Sequence, residues 1–396
     1  MYRKIRVIDY DLVCAAGVGL PAVRTALAQQ QTGLKPNDFP DCTLETFIGR
    51  VSAVDDFIWP QADLEWQSRN NALVDLALQQ GTLLQSLVRI REKVGPARIG
   101  LVMGSSTSSI DRAEAAYRVQ RERGVVPDEF LKLKVLNPHA PAFYTAYRTG
   151  ITGPCVTLST ACSSSAKVFA TAARWLNAGV VDAVLVGGAD SLCLTVLYGF
   201  HSLQLVSTKL CSPFDESRDG INIGEGAGFA LLTRDDLAED ADVILSGYGE
   251  SSDAHHMSHP HPEGQGARLA IQQALTLAQL RPEQIDYVNL HGTSSRVNDV
   301  VEGNLMAQLF PTSTPMSSTK GWTGHTLGAA GIVEAVIAMD SFQTGLLPGN
   351  LHCKKMDPEI ALQLSEANRT AVPQHVMSNS FGFGGNNASL IFSRAK

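Results

Sequence analysis

Along this chain, short runs of Val, Ile, Leu and Ala alternate with longer stretches in which apolar positions recur at helical spacing. The runs 97–104 (ARIGLVMG), 155–160 (CVTLST), 182–190 (DAVLVGGAD), 242–249 (DVILSGYG) and 286–294 (DYVNLHGTS) are apolar nearly throughout. Such runs predict strands covered on both faces, which places the chain in the α/β class. Between them, 164–179 (SSAKVFATAARWLNAG) predicts a helix closed by Gly179, and 263–280 (EGQGARLAIQQALTLAQL) one closed by Pro282. No low-complexity linker divides the chain.

Two segments echo each other. Residues 160–176 (TACSSSAKVFATAARWL) and 323–339 (TGHTLGAAGIVEAVIAM) align so that Cys162 falls on His325. Each puts a reactive side chain where a turn of small residues enters an apolar helix. A duplicated chain would bring the two helix starts face to face across a pseudo-twofold axis, although two unrelated Ala-rich helices would give the same echo.

Composition then narrows the partners. The chain has 396 residues, 44% of them hydrophobic and 18% charged, with room for a large core. A net charge of -7 and the lack of any long Lys/Arg run offer nucleic acid no attraction. No apolar stretch reaches the length of a membrane span, and the opening segment carries Asp9 and Asp11 where a signal peptide needs its apolar core. The expectation is a cytoplasmic protein without a membrane partner. Seven cysteines, at 14, 42, 155, 162, 193, 211 and 353, form no Cys-x-x-Cys pair and are odd in number, which points to one reactive thiol among buried bystanders.

Cys162 is the candidate, because it follows the apolar strand VTLST and precedes a helix. Unpaired N–H groups and the helix dipole favour a thiolate there, and a thiolate attacks a thioester carbonyl. For Cys14, Cys42, Cys155, Cys193, Cys211 and Cys353 the inert buried thiol is preferred. His291 closes the strand DYVNL ahead of Gly-Thr-Ser-Ser, and the stretch 317–325 carries Lys320 and His325. Neutral imidazoles beside the sulfur donate hydrogen bonds to a thioester oxygen as it becomes an enolate. Lys320, costly to bury alone, finds a counter-ion in Glu334, unless it lies at the surface. Near the C-terminus, 378–392 (SNSFGFGGNNASLIF) combines glycines that let backbone approach a ligand with Phe381 and Phe383, an oxyanion donor and an aromatic wall.

Six segments together resemble the β-ketoacyl-acyl carrier protein synthases, the decarboxylating condensing enzymes of the thiolase fold. They are TACSSSA around Cys162, 213–228 (PFDESRDGINIGEGAG), 252–264 (SDAHHMSHPHPEG), 291–302 (HGTSSRVNDVVE), 318–331 (STKGWTGHTLGAAG) and 379–388 (NSFGFGGNNA), in family order from about Gly100 onward. The resemblance implies a duplicated αβαβα core, with residues 1–240 carrying the nucleophile and 241–396 the two histidines. It implies a Cys-His-His site of Cys162, His291 and His325, a supporting ion pair Lys320–Glu334, and an oxyanion hole of the Cys162 and Phe383 N–H groups. Thr293 and Ser295 would line the tunnel for a phosphopantetheine arm. Thr107 in MGSSTSSID and Phe200 in LYGFHSLQLVS would line the acyl pocket. The chain departs from the family at Asp9-Tyr10 (a Thr-Gly pair is usual), at Ser295 and Arg296 (threonine and proline are common), at Trp322 and at Ile221-Asn222-Ile223. His255, His256, His259 and His261 fall on a family loop that needs no metal, and none is expected.

The implied reaction is transfer of an acyl group from an acyl carrier protein to Cys162, then decarboxylative condensation with malonyl carrier protein, without a dissociable cofactor. It serves fatty-acid or specialised polyketide or aryl-polyene synthesis. Two other readings are a non-catalytic chain-length-determining partner subunit, which generally lacks the nucleophile, and a CoA-dependent thiolase, whose second cysteine Cys353 is misplaced to supply. A homodimer, or a heterodimer with a related ketosynthase subunit, is expected. Carrier proteins are acidic, so an enzyme of net charge -7 needs a local basic patch, for which Arg69, Arg118, Arg121, Lys132 and Lys134 are the candidates.

Overall fold

Ten strands lie in one hydrogen-bonded order and fall into two sets of five with one plan. The first set is β1 (Ile5–Cys14), β2 (Ile99–Gly104), β3 (Cys155–Leu158), β4 (Ala183–Asp190) and β5 (Gly226–Arg234). The second is β6 (Val243–Ser252), β7 (Tyr287–Asn289), β8 (Met316–Ser317), β9 (His375–Gly382) and β10 (Asn386–Arg394). Numbered within its own set, each runs third, second, fourth, fifth, first. In each, the second strand runs parallel to its two neighbours and the fifth antiparallel to its own. The sets meet where β1 pairs antiparallel with β6, Ile5 opposite Leu245. The structure, a computed structural model, describes residues 4–131, 133–238 and 241–395.

Helices fill matching intervals: α1 (Arg69–Leu78), α2 (Ala140–Thr149) and α3 (Ser164–Asn177) between β1 and β4, and α4 (Gln265–Ala278), α5 (Arg296–Leu309) and α6 (Ala330–Thr344) between β6 and β9. α3 and α6 touch strands of both sets, whereas α1 packs on the first set alone and α4 on the second. The result is the duplicated, five-layered α/β fold that the family resemblance implies. Strand alternation supplies its cores: Val184 and Val186 of β4 face the central layer, while Ala183, Leu185 and Ala189 face the outer helices. Residues such as Val288, Met377 and Ile391 do the same for the second set.

Two strands differ from the doubly covered expectation. β3 is half-buried along its whole length because it ends the sheet, and β6 alternates buried with half-buried positions. The central helix α6 is buried at every residue from Ala330 to Phe342; its sequence is apolar on most faces, and its buried acids Glu334 and Asp340 pair with Lys320 and Arg24. Small residues let it reach α3: a Cβ on Gly331 would lie 2.4 Å from the Ala166 nitrogen. The Ser165 hydroxyl caps the contact by accepting the Ile332 N–H at 2.9 Å. Trp322, unusual in sequence, is fully buried and donates its indole N–H to the Ala26 carbonyl at 3.2 Å.

Candidate active site

The turn between β3 and α3 presents Cys162. Ala161, just before it, sits in the left-handed region at φ 52°, a conformation costing an L-residue roughly 1 kcal/mol or more. The Ser163 hydroxyl donates to the Thr160 carbonyl (2.9 Å), and the Thr160 N–H donates to Ser164 Oγ (2.9 Å), so the turn is braced by its own serines. Gly382 packs closely here: a Cβ on it would lie 3.1 Å from the Cys162 and Ser163 nitrogens, a tight contact. This close approach brings the 382–385 loop, and with it the Phe383 N–H, beside the sulfur.

Burial decides the state of that sulfur. Cys162 is 5% exposed, and burial pushes its thiol up to about 11 against the pull of the Phe383 N–H, the Lys320 charge and its own N–H. Burial thus works against the thiolate expected from a helix start and favours the thiol. The two N–H groups proposed as oxyanion donors nevertheless both act on this one atom.

Both histidines join it. His325 Nε2 lies 3.1 Å from Cys162 Sγ, the two imidazole rings are 5.5 Å apart at 85°, and one ligand atom of each of the three side chains lies within 4.8 Å of the others. The Leu327 N–H donates to His325 Nδ1 at 3.3 Å, so in a neutral ring the proton sits on Nε2 and faces the sulfur. Burial, then the Lys320 charge, holds both imidazoles well below their ordinary range, His325 further lowering His291. They are neutral hydrogen-bond donors.

Lys320 and Glu334, each almost fully buried, form an ion pair behind the histidines. Lys320 Nζ also donates to the His291 carbonyl at 2.5 Å. Burial pushes the Glu334 carboxyl up, with the Lys320 charge opposing.

Several residues that hold the site escaped sequence reasoning. Glu302 of α5 accepts the N–H groups of His291 (2.8 Å) and Gly292 (2.7 Å), while Asp299 accepts those of Thr293 (3.0 Å) and Phe214 (2.8 Å). Two acids three apart near the start of a helix were the available signal. Asn222 and Gly224 grip His325 from the other side: the His325 N–H donates to the Asn222 carbonyl (2.7 Å) and the Gly224 N–H to the His325 carbonyl (3.0 Å). The unusual Ile221-Asn222-Ile223 segment thus lies directly against the third member of the site.

A cavity of about 470 Å³ opens above the three residues and is lined by Cys162, His291, His325, Thr293, Ser295, Phe200, Phe381 and Phe383 among others. Thr293 Oγ1 and Ser295 Oγ are 2.9 Å apart on one wall. The Phe200 and Phe383 rings stack at 5.6 Å and 27°. Thr107 does not line this cavity, because its N–H and hydroxyl both donate to Asp190 at 3.0 and 2.7 Å. Cys353 lies outside it too, packed with Met356.

Of the proposed basic patch, Arg69 points inward while Arg118, Arg121 and Lys134 stay exposed. Arg69 is half-buried and pairs with Glu225 and Asp55, each within 2.6 Å, so much of its charge answers internal carboxylates. Arg118 and Arg121 lie on one helix, residues 110–123, with Arg118 paired to Asp41; Lys134 pairs with Glu65, and Lys132 lies outside the described residues. The four loop histidines form two pairs, His255 with His261 and His256 with His259, at ring separations of 5.1 and 4.8 Å. Among the described residues, Cys162, His291 and His325 form the group of three close enough to share an ion. No helix of the described residues is long and apolar enough to cross a membrane.

Comparison with known proteins agrees with this geometry. Residues 48–238 match the family described as Beta-ketoacyl synthase, N-terminal domain, and 243–354 match Beta-ketoacyl synthase, C-terminal domain. The chain is 33% identical to 3-oxoacyl-[acyl-carrier-protein] synthase 2 of Vibrio cholerae across 99% of each protein. It is 37% identical to the mitochondrial 3-oxoacyl-[acyl-carrier-protein] synthase of Arabidopsis thaliana, across 75% of this chain and 68% of that one. Among solved structures, a chain of the ketosynthase (ApeO) in complex with its chain length factor (ApeC) from Xenorhabdus doucetiae superposes with a TM-score of 0.88 at 36% identity, covering 100% of this chain and 98% of that one.

Proposed function

The chain belongs to the β-ketoacyl synthase family, and on that premise we propose that Cys162, His291 and His325 divide the decarboxylative condensation of acyl carrier protein thioesters between them. The observation carrying the assignment is the 3.1 Å approach of His325 Nε2 to Cys162 Sγ at the floor of the cavity.

In the first half-reaction, Cys162 Sγ forms a bond to the acyl carbonyl carbon of the incoming thioester. The tetrahedral oxygen is held by the N–H groups of Cys162 and Phe383, the pantetheine sulfur leaves, and the thiol proton of Cys162 passes to it. In the second, the malonyl carboxylate departs as carbon dioxide and its electron pair forms the enolate. Nε2–H of His325 and an N–H of His291 hold the enolate oxygen; neutral rings suit this, because each keeps a proton to donate without attracting the departing carboxylate. The carbanion then bonds to the acyl carbonyl carbon, the Cys162 sulfur leaves, and a proton restores the thiol. Lys320 supports the His291 backbone. No dissociable cofactor enters; the phosphopantetheine arm arrives on the carrier protein past Thr293 and Ser295.

The second subunit is a ketosynthase-type chain, identical or related, for which the half-buried edge strand β3 is available. The acyl group is extended and unsaturated, with the stacked Phe200 and Phe383 rings offering a flat face to it. We place the reaction in the cytoplasm, consistent with seven unpaired cysteines.

Intact-mass measurement after incubation with a panel of acyl carrier proteins tests the assignment. Wild type gains an acyl mass and Cys162→Ala gains none. His291→Ala and His325→Ala keep acylation but lose release of carbon dioxide from malonyl carrier protein. Acylation of Cys162→Ala would sink the nucleophile, and undiminished carbon dioxide from both histidine variants would sink the division of labour.

A further inference from the structure

We propose that Asp190 is a positioning residue that fixes the working tautomer of His325. Asp190 ends β4, has no exposed surface, and belongs to none of the roles assigned above. Its Oδ1 accepts the Ser105 hydroxyl (2.6 Å), the Ser106 N–H (3.0 Å), and the Thr107 N–H (3.0 Å) and hydroxyl (2.7 Å). Its Oδ2 accepts the Ser106 N–H (2.9 Å) and hydroxyl (2.6 Å) and the Gly328 N–H (2.6 Å). One buried carboxylate therefore fastens the turn after β2 to the turn that follows His325.

The second fastening has a chemical consequence. Leu327, between His325 and Gly328, is held at φ 56°, where a leucine is strained by roughly 1 kcal/mol or more. In that conformation its N–H donates to His325 Nδ1 at 3.3 Å. The neighbouring bond from Gly328 to Asp190 anchors the strained turn on its far side. Gly328 has no alternative, since a Cβ would lie 2.6 Å from both Asp190 Oδ2 and the Ser106 nitrogen. With the anchor gone, Leu327 relaxes to negative φ and its N–H leaves Nδ1. The Nδ1–H tautomer then competes, and a ring in that state turns a lone pair instead of a proton toward a developing enolate oxygen. Asp190 acts through the turn and touches no reacting atom.

This rests on the roles proposed for Cys162 and His325, and Asp190→Asn tests it separately from them. The amide keeps the shape but places an NH₂ among donors. Three readouts are compared with wild type: the ¹⁵N spectrum of the His325 ring, carbon dioxide release from malonyl carrier protein, and acylation of Cys162 by mass. The expected result is a mixed-tautomer spectrum, carbon dioxide release down about tenfold or more, and an acylation rate changed several-fold less. Gly328→Ala should reproduce all three by pushing the turn off the carboxylate, and it carries the test if Asp190→Asn does not fold. Asp340→Asn, which removes a buried carboxylate paired with Arg24, is the control for general loosening and should leave the spectrum unchanged. An unaltered His325 spectrum in both Asp190→Asn and Gly328→Ala, or equal loss of the two half-reactions, overturns the assignment. If wild type does not acylate Cys162, the catalytic reading fails, and the ring spectrum still decides the role of Asp190.

Discussion

Replacing Lys320 by methionine probes the site where stability and chemistry meet. The ammonium is 1% exposed and holds two partners, Glu334 and the His291 carbonyl. Methionine retains most of the volume, so packing changes little and the loss is electrostatic. It leaves Glu334 as a lone carboxylate in the core, with Oε2 already lacking a partner. Stranding one member of a buried ion pair costs about 3–5 kcal/mol. The Glu334 carboxyl, already pushed up by burial, then loses the charge that opposed the rise and moves up further. Because a raised acid is tolerated when protonated and penalised when ionised, the deficit of Lys320→Met should shrink on acidification and grow with pH. The double variant Lys320→Met, Glu334→Gln has no charge to strand and should recover to within about 1–2 kcal/mol of wild type. Its activity should not recover, since the His291 carbonyl still lacks its N–H donor. Denaturant unfolding at several pH values, with carbon dioxide release alongside, reads all of this. A Lys320→Met deficit below about 1 kcal/mol, or a double variant no more stable than the single, would refute the reasoning.

Two further outcomes follow from the same geometry. Because His291 is held neutral in the fold, its contribution is fully present above the unfolded value of 6.5 and is lost as pH falls below it. Measured against His291→Asn, wild type should lose about 1.4 kcal/mol of relative stability between neutral pH and pH ~5.5; a pH-independent difference would show that the ring charges freely in the fold. Gly331→Val should destabilise by about 1–3 kcal/mol or more by driving α3 and α6 apart where a Cβ would meet the Ala166 nitrogen at 2.4 Å, and it should slow acylation with it. A fully active Gly331→Val of wild-type stability would mean that the helices do not meet so closely.

Much of this site is legible in the sequence because its members sit at junctions that sequence marks. Cys162 lies between an apolar strand and an apolar helix, His291 at the end of a strand before Gly-Thr-Ser-Ser, and His325 in a glycine-flanked turn before a largely apolar helix. Periodicity and small-residue turns are local properties, so they survive without coordinates, whereas the duplication came from the family resemblance. Chemistry that depends on what surrounds a group is different. The place of Cys162 at a helix start points to a thiolate, whereas its burial in the folded chain pushes the thiol up to about 11. Arg69 and Thr107 read as surface and pocket residues, yet Arg69 answers Glu225, 156 positions away, and Thr107 answers Asp190, 83 positions away. Asp190 itself carried no local mark beyond closing an apolar strand. Hydrogen bonds and desolvation are fixed by neighbours in space, and folding brings together residues whose separation along the chain says nothing of their distance, so the burial of the sulfur, the Arg69–Glu225 pair and the bracing of His325 were decided only by the tertiary structure.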